Sequence, residues 1–214
     1  MSKYVQRGIT LIREHWRAYL AINIVYYGLM IACMLVVVIF PDLQHWLLQT
    51  VKQAASAPID GVMPRVFAAY ANHNFLAALA ITFVVNLVIG ALLSITIPSL
   101  ILPFSGFLIA LYRAALWGLL LSPADPQLRW IMIPHSLTLL IEGQAYVIAM
   151  LAAWQQGLAL LRPSTVGATT RRQALATGLK RTTVLYVLIV ILLAVAAVYE
   201  AFECIYLVPL LKPH

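Results

Sequence analysis

Five long runs of apolar residues dominate this chain and restrict the folds open to it. They cover residues 19–40, 75–97, 100–121, 130–161 and 182–211. Each is long enough for a helix to cross the roughly 30 Å hydrocarbon core of a bilayer, which takes about 20 residues. A soluble domain has too little interior for them, since 63% of the 214 residues are hydrophobic and only 10% are charged. Because backbone groups in lipid must pair within their own segment, the sequence predicts an all-α, polytopic membrane protein with five transmembrane helices.

Basic residues predict the orientation of these helices. Two segments carry most of them: the N-terminus, with Lys3, Arg7, Arg13 and Arg17, and residues 162–181, with Arg162, Arg171, Arg172, Lys180 and Arg181. Basic connections stay in the cytoplasm, so both segments are predicted to lie there. Five crossings then put the outer loop 41–74, residues 122–129 and the C-terminus outside, and the turn at 97–100 inside.

The N-terminal segment, residues 1–18, is predicted to form a separate amphipathic helix. Its basic residues are interspersed with the apolar residues Tyr4, Ile9, Ile12 and Trp16. This pattern is typical of an interfacial helix on the cytoplasmic membrane surface. A docking surface for a partner is the alternative. The net charge of +7 is interpreted as a topology signal, with the lipid bilayer and its anionic headgroups as partner. The positive residues are dispersed and lack a binding module, which argues against nucleic acid.

Several uncharged residues in the apolar runs are interpreted as packing positions. Asn86 and Gly90 in the second run suit close packing and hydrogen bonding between helices. Pro98, Pro103 and Gly106 are predicted to break the helix at the following turn.

The two cysteines, Cys33 and Cys204, are predicted to lie at similar depth in different helices. Both are interpreted as apolar packing residues, and a disulfide between them is left open. No metal-ligand spacing involves either of them, so the sequence predicts no metal site.

Five ionisable residues interrupt the last three runs. They are Arg113, His135, Glu142, Glu200 and Glu203. With a rise of about 1.5 Å per residue, their distances from the ends of the runs place them at one level in the outer half of the membrane. Buried charges of this kind cost about 2.5 kcal/mol or more each and are almost always paired or face a cavity. The five are therefore predicted to form one polar cluster, with Arg113 as the partner of the carboxylates.

Three interpretations of this cluster stay open. The favoured one is structural: the cluster clamps the third, fourth and fifth helices together, with Pro134 in the first turn of the fourth helix. The second is a proton or ion path, or a polar recognition site. Catalysis is the weakest, because the chain has no H-E-x-x-H motif, no nucleophile with its base and no Gly-rich phosphate loop. The sequence therefore predicts no enzyme, no catalytic residue and no cofactor.

Three stretches carry short motifs in a particular order: "NLVIGALLSITIPSLILPFSGFLIAL", "IPHSLTLLIEGQAYVIAMLAAWQQGLALLRP" and "VYEAFECIYLVP". In this order and spacing they resemble the stage II sporulation protein M (SpoIIM) family. The matching positions are Asn86, Gly90 and Gly106 in the first stretch, Pro134, His135 and Glu142 in the second, and Glu200 in the third. The resemblance covers about residues 10–211. Ser105 and Ser136 stand where asparagine and glycine are expected in the family.

The resemblance implies a non-enzymatic, multi-pass protein of the bacterial cytoplasmic (inner) membrane. In spore formers the family member works with a peptidoglycan hydrolase and another membrane-anchored hydrolase during engulfment. This chain is therefore expected to be a scaffold that recruits or positions cell-envelope proteins through its outer loop and polar cluster. The alternative is a membrane subunit of a transporter, with a cytoplasmic ATPase docked on residues 162–181.

Overall fold

The computed structural model describes residues 3–55 and 61–211, and these residues are helical almost throughout. In chain order the helices are α1 (Lys3–Glu14), α2 (Trp16–Ile39), α3 (Pro41–Ala55), α4 (Val62–Ala71), α5 (Phe75–Ile101), α6 (Ser105–Leu120), α7 (Pro126–Leu161) and α8 (Arg171–Leu211), with a 3₁₀ turn at Pro163–Val166. Two segments have π-helical winding: Val85–Thr96 within α5 and Glu203–Leu207 within α8. The predicted all-α class is confirmed for this part of the chain.

Four of these helices, α2, α5, α7 and α8, are long and apolar enough to cross a membrane. They coincide with four of the five apolar runs and indicate a membrane protein. The remaining run forms α6, which has 16 residues. Its length of about 24 Å, at 1.5 Å per residue, is less than the roughly 30 Å thickness of a hydrocarbon core.

The turn after α5 lies later than the sequence predicted. It occupies Leu102–Phe104 instead of residues 97–100, because α5 continues through Pro98 to Ile101. The N–H of Ile97 bonds to the carbonyl of Leu92, five residues back. This wider winding displaces the carbonyl with which the Pro98 ring would collide in an α-helix. The chain then reverses at Phe104, which has a left-handed backbone conformation with φ of 68°.

The start of α7 also differs from the prediction. The helix begins at Pro126, so Pro134 lies in its interior and not in its first turn. The earlier start has a local cause: proline is favoured at the first helical position, and the Asp125 carboxylate accepts a hydrogen bond from the N–H of Leu128 at 3.3 Å. Pro134 has no N–H of its own, so the helix loses one backbone hydrogen bond there.

Segments predicted as connections contain helix as well. The outer loop 41–74 includes α3 and α4, and its residues 56–60 lie outside the described residues. The basic segment 162–181 is helical from Arg171 onward, so its second half is the first part of α8. In the N-terminal segment 1–18, residues 1 and 2 lie outside the described residues, and His15 separates α1 from α2.

The core of the bundle surrounds α7. All residues from Ala145 to Ala153 are buried, so this stretch of the helix is covered on every side. A helix that is apolar all round is typical of such an enclosed position. α7 and α8 pack along much of their length, and α2, α5 and α6 cover the other faces of α7.

Close approach of α5 and α6 depends on Gly106. This residue, in the first turn of α6, donates its N–H to the Ser99 hydroxyl at 3.0 Å. A Cβ at position 106 would overlap the carbonyl group of Ile95. Backbone atoms of α5 cannot move aside as a flexible side chain can, so only glycine fits here.

We therefore expect Gly106→Ala to destabilise the protein by about 1–3 kcal/mol, the usual cost of overpacking. Gly28→Ala is the matched control, because Gly28 lies within α2 and a Cβ there would meet nothing within 4 Å. The control should be neutral or stabilise the protein, since alanine has the higher helix propensity. Thermal unfolding of both variants in one detergent measures the difference. Equal melting temperatures for the two variants would contradict the close contact.

Candidate functional site

Side chains from α5, α6, α7 and α8 form one polar group inside the bundle. It contains the five ionisable residues that the sequence singled out, together with one amide and one phenol that join them. This polar cluster is defined here as Asn86, Arg113, His135, Glu142, Tyr146, Glu200 and Glu203.

The closest contact in the polar cluster joins α7 to α8. The Nδ1 atom of His135 lies within hydrogen-bonding distance of the Oε1 atom of Glu203. The Glu203 side chain is 0% exposed and that of His135 14%. Among residues 3–55 and 61–211, no group hydrogen bonds to the second carboxylate oxygen of Glu203, Oε2. A wholly buried carboxylate is therefore held by a single histidine.

Arg113 reaches the acidic residues through Tyr146. Its Nη2 donates to the Tyr146 hydroxyl at 3.1 Å, and its Cζ lies 4.6 Å from the centre of the Tyr146 ring, a cation–π distance. The Tyr146 hydroxyl in turn lies 3.1 Å from Oδ1 of Asn86 and 3.5 Å from Oε1 of Glu142. Among the described residues Arg113 forms no direct ion pair. The direct Arg113–carboxylate pair expected from the sequence is thus replaced by a tyrosine-bridged contact.

The remaining acidic residues lie between these two contacts. Glu142 is in electrostatic contact with Arg113 and His135, and its carboxylate also faces Asn86. Glu200 is in electrostatic contact with Glu142, His135 and Glu203. The structure therefore brings all five predicted ionisable residues together, with three carboxylates facing one arginine and one histidine.

Both π-helical segments carry residues of the polar cluster. Asn86 lies in Val85–Thr96, which also contains Gly90, and Glu203 lies in Glu203–Leu207. A Cβ at Gly90 would lie 2.7 Å from the Tyr146 hydroxyl and 2.9 Å from Nη1 of Arg113. Gly90 therefore leaves the space that these two groups occupy. Since π-turns occur frequently at functional sites, their position here marks the polar cluster as the best candidate site.

Pro134 is buried beside the polar cluster, one residue before His135. Its carbonyl accepts a hydrogen bond from the Tyr199 hydroxyl at 3.3 Å. This bond is a second polar link between α7 and α8, close to the His135–Glu203 pair.

Helix α4, in the segment predicted as the outer loop, packs against α5, which carries Asn86 of the polar cluster. The Tyr70 hydroxyl lies 2.8 Å from that of Thr82 in α5, and Tyr70 is in electrostatic contact with Glu200. Burial raises the pKa of Tyr70, and the nearby Glu200 carboxylate raises it further. The phenol therefore stays protonated at neutral pH, and its contact with Thr82 ties α4 to α5.

A second polar network, between α2 and α7, was missed by the sequence analysis. Gln144 contacts the Tyr19 hydroxyl and donates to Oδ1 of Asn23 at 2.7 Å and to the Tyr27 hydroxyl at 3.0 Å. Tyr27 donates to the backbone carbonyl of Leu140 at 2.9 Å. The available signal was the occurrence of Asn23 and Gln144 within apolar runs, because amides in membrane helices hydrogen bond across helix interfaces.

No protein-family model, curated protein or solved structure matches the chain. The chemistry of the polar cluster thus follows from its own residues and contacts. Its groups can hold four helices together, exchange a proton between carboxylates and the imidazole, or bind a cation at the carboxylates.

The bridging role of Tyr146 leads to a direct test. Tyr146→Phe keeps the ring beneath Arg113 but removes the hydroxyl that joins Arg113, Asn86 and Glu142. We expect a loss of about 1–3 kcal/mol of stability, because buried polar groups are left unpaired. Tyr112→Phe, a change at a 64% exposed tyrosine of the same helix as Arg113, is the control. Thermal unfolding in detergent measures both, and similar small losses would show that the hydroxyl bridge contributes nothing.

Proposed function

We propose that this chain is a non-enzymatic scaffold of the bacterial cytoplasmic membrane, similar to the SpoIIM family, that recruits or positions cell-envelope proteins. The observation that carries the proposal is the His135–Glu203 pair, in which a wholly buried carboxylate joins α7 to α8. Ionisable residues inside a membrane protein pair with one another or face a water-filled cavity, and the Glu203 side chain is 0% exposed and paired with His135. This burial favours a clamp over a path.

In the proposed topology the chain crosses the membrane five times, with α6 as the short third crossing. A helix shorter than the hydrocarbon core is accommodated by local thinning of the bilayer. α6 follows α5 after a three-residue turn and packs back against it at Gly106. In such a hairpin α5 and α6 run antiparallel. Each of the two helices then has its two ends on opposite sides of the membrane, as five crossings require.

The position of the basic residues supports a cytoplasmic N-terminus. Arg7 of α1 lines the same groove as Lys180 and Arg181 of α8. The two basic segments therefore lie on the same side of the molecule, and the positive-inside rule places that side in the cytoplasm. In this arrangement α1 is the interfacial helix, and the groove faces the anionic headgroups of the inner leaflet.

The outer loop offers the surface for envelope partners. Trp46 of α3 is 61% exposed and Phe67 of α4 is 42% exposed. Because Tyr70 of α4 also hydrogen bonds to Thr82 of α5, a partner bound to the loop acts on a helix that the polar cluster holds. The basic cytoplasmic segment 162–181 is the corresponding surface for an ATPase in the transporter alternative.

The topology is tested by cysteine labelling of intact cells in a Cys33→Ala/Cys204→Ala background. Thr50→Cys in α3 and Thr169→Cys in the basic segment form a matched pair, because both threonines are exposed. We expect a membrane-impermeant maleimide to label position 50 in intact cells and position 169 only after permeabilisation. Labelling of position 169 from outside would overturn the five-crossing topology.

The scaffold function is tested by site-specific photo-crosslinking in membranes followed by mass spectrometry. A photoreactive phenylalanine analogue replaces Trp46 in one variant and Arg172, an exposed residue of the basic segment, in the other. We expect position 46 to capture extracytoplasmic envelope proteins. A cytoplasmic ATPase captured at position 172, with no envelope protein at position 46, would favour the transporter.

A flux measurement separates the two functions independently of any partner. Liposomes that contain only this chain should show no proton or ion flux. A flux that Glu142→Gln abolishes without unfolding the protein would replace the scaffold by a transport function.

A further inference from the structure

Three side chains of the types that bind metal ions meet where α7 contacts the end of α8. A ring nitrogen of His135, a carboxylate oxygen of Glu203 and the Sγ atom of Cys204 all lie within 4.8 Å of one another. We propose that these three residues bind a zinc ion. The site goes beyond the scaffold function: it includes the His135–Glu203 contact on which that proposal also rests, but zinc binding is measured on this chain alone, without any partner.

The donor set selects the metal. Zinc is bound by cysteine sulfur, histidine nitrogen and carboxylate oxygen at about 2.0–2.3 Å, so its ligand atoms lie roughly 3–4 Å apart. The three ligand atoms, all within 4.8 Å of one another, lie close to that range. Magnesium and calcium prefer oxygen ligands alone, while a thiolate favours zinc.

The state of Glu203 gives an independent indication of a bound cation. Its side chain is 0% exposed, and within the described ranges its Oε2 atom has no hydrogen-bond partner. Buried polar atoms are rarely left without a partner, and a bound water or ion is one of the explanations for an exception. A metal between His135 and Glu203 would use this oxygen and replace the single contact that now holds the carboxylate.

Charge balance supports the same conclusion. A thiolate at Cys204 and a carboxylate at Glu203 together carry two negative charges, which a zinc ion with its two positive charges cancels. The His135 imidazole binds metal in its neutral form. With water as the fourth ligand the loaded site is therefore neutral, which reduces the cost of ionisable groups inside a membrane.

The π-helical winding explains how two consecutive residues can share one metal. In an α-helix neighbouring side chains point about 100° apart, which follows from 3.6 residues per turn. Glu203 and Cys204 lie in the π-helical segment Glu203–Leu207, where more residues fill each turn and the angle between neighbours is smaller. Both side chains can then face His135 on α7. This geometry leaves no spaced metal motif in the sequence, so the sequence analysis predicted no metal.

A water molecule or the Glu200 carboxylate can occupy the fourth coordination position of the zinc ion. Glu200 lies three residues before Glu203 and is in electrostatic contact with both His135 and Glu203. Three protein ligands with one open position are an established zinc arrangement.

The test measures zinc in the purified full-length protein after incubation with micromolar Zn²⁺ and removal of the free ion. We expect about one zinc per chain, bound by the folded protein. Cys204→Ser should lower this content at least about fivefold, since a missing ligand leaves the metal incompletely held. Cys33→Ser, at the other cysteine of the chain, should leave the zinc content unchanged. Only the monodisperse fraction from size-exclusion chromatography is analysed, so unfolded protein does not contribute.

Cobalt substitution and X-ray absorption keep the proposal testable if Cys204→Ser does not fold. Co²⁺ bound to the wild type should show a thiolate charge-transfer absorption that persists in Cys33→Ser. The zinc absorption edge should reveal one sulfur neighbour at about 2.3 Å. Less than about 0.1 zinc per chain in the wild type, a coordination shell without sulfur, or equal losses in both cysteine variants would overturn the proposal.

Discussion

Polar side chains enclosed in an apolar helix bundle must find their partners inside it, and this requirement determines which helices touch. An ionisable group near the centre of a membrane costs about 2.5–3.5 kcal/mol even on insertion scales. His135 meets this cost by contact with Glu203, and Arg113 by contact with Tyr146. Because those partners lie on other helices, each contact pins one helix against the next. The arrangement of α5, α6, α7 and α8 follows from these pairings.

Small residues make the pairings possible. Gly90 leaves room for the Tyr146 hydroxyl and the Arg113 guanidinium, and Gly106 lets the backbones of α5 and α6 approach. In membranes, apolar side chains gain nothing by leaving lipid for protein, so helices associate through close packing and hydrogen bonds. The glycines and the polar cluster therefore act together. The glycines let the helices approach closely, and the polar cluster determines which helices pack against each other.

The sequence predicted the helices well because run length and apolar composition directly reflect the membrane. The predicted run 19–40, for example, corresponds to α2 at Trp16–Ile39. It also found the ionisable members of the polar cluster, since a charge within an apolar run has few explanations. Tyr146 and Gln144 escaped notice because tyrosine and glutamine occur in many settings. The π-helical segments have no sequence signature of their own, and for that reason the late turn after Pro98 and the position of Cys204 close to both His135 and Glu203 were not foreseen.

The π-helical segment at the end of α8 also affects how the chain tolerates changes in length. A π-turn holds one residue more than the α-turn it replaces, so loss of one residue from Glu203–Leu207 would restore α-helical winding. The residues that follow, including the buried Val208, would then keep nearly the same orientation toward α7, because the wider turn had accommodated the residue that is lost. A deletion in regular α-helix would instead rotate the residues that follow by about 100°. Loss of one residue from this segment is therefore expected to disturb the packing of the end of α8 less than the same loss in an α-helical part of α8.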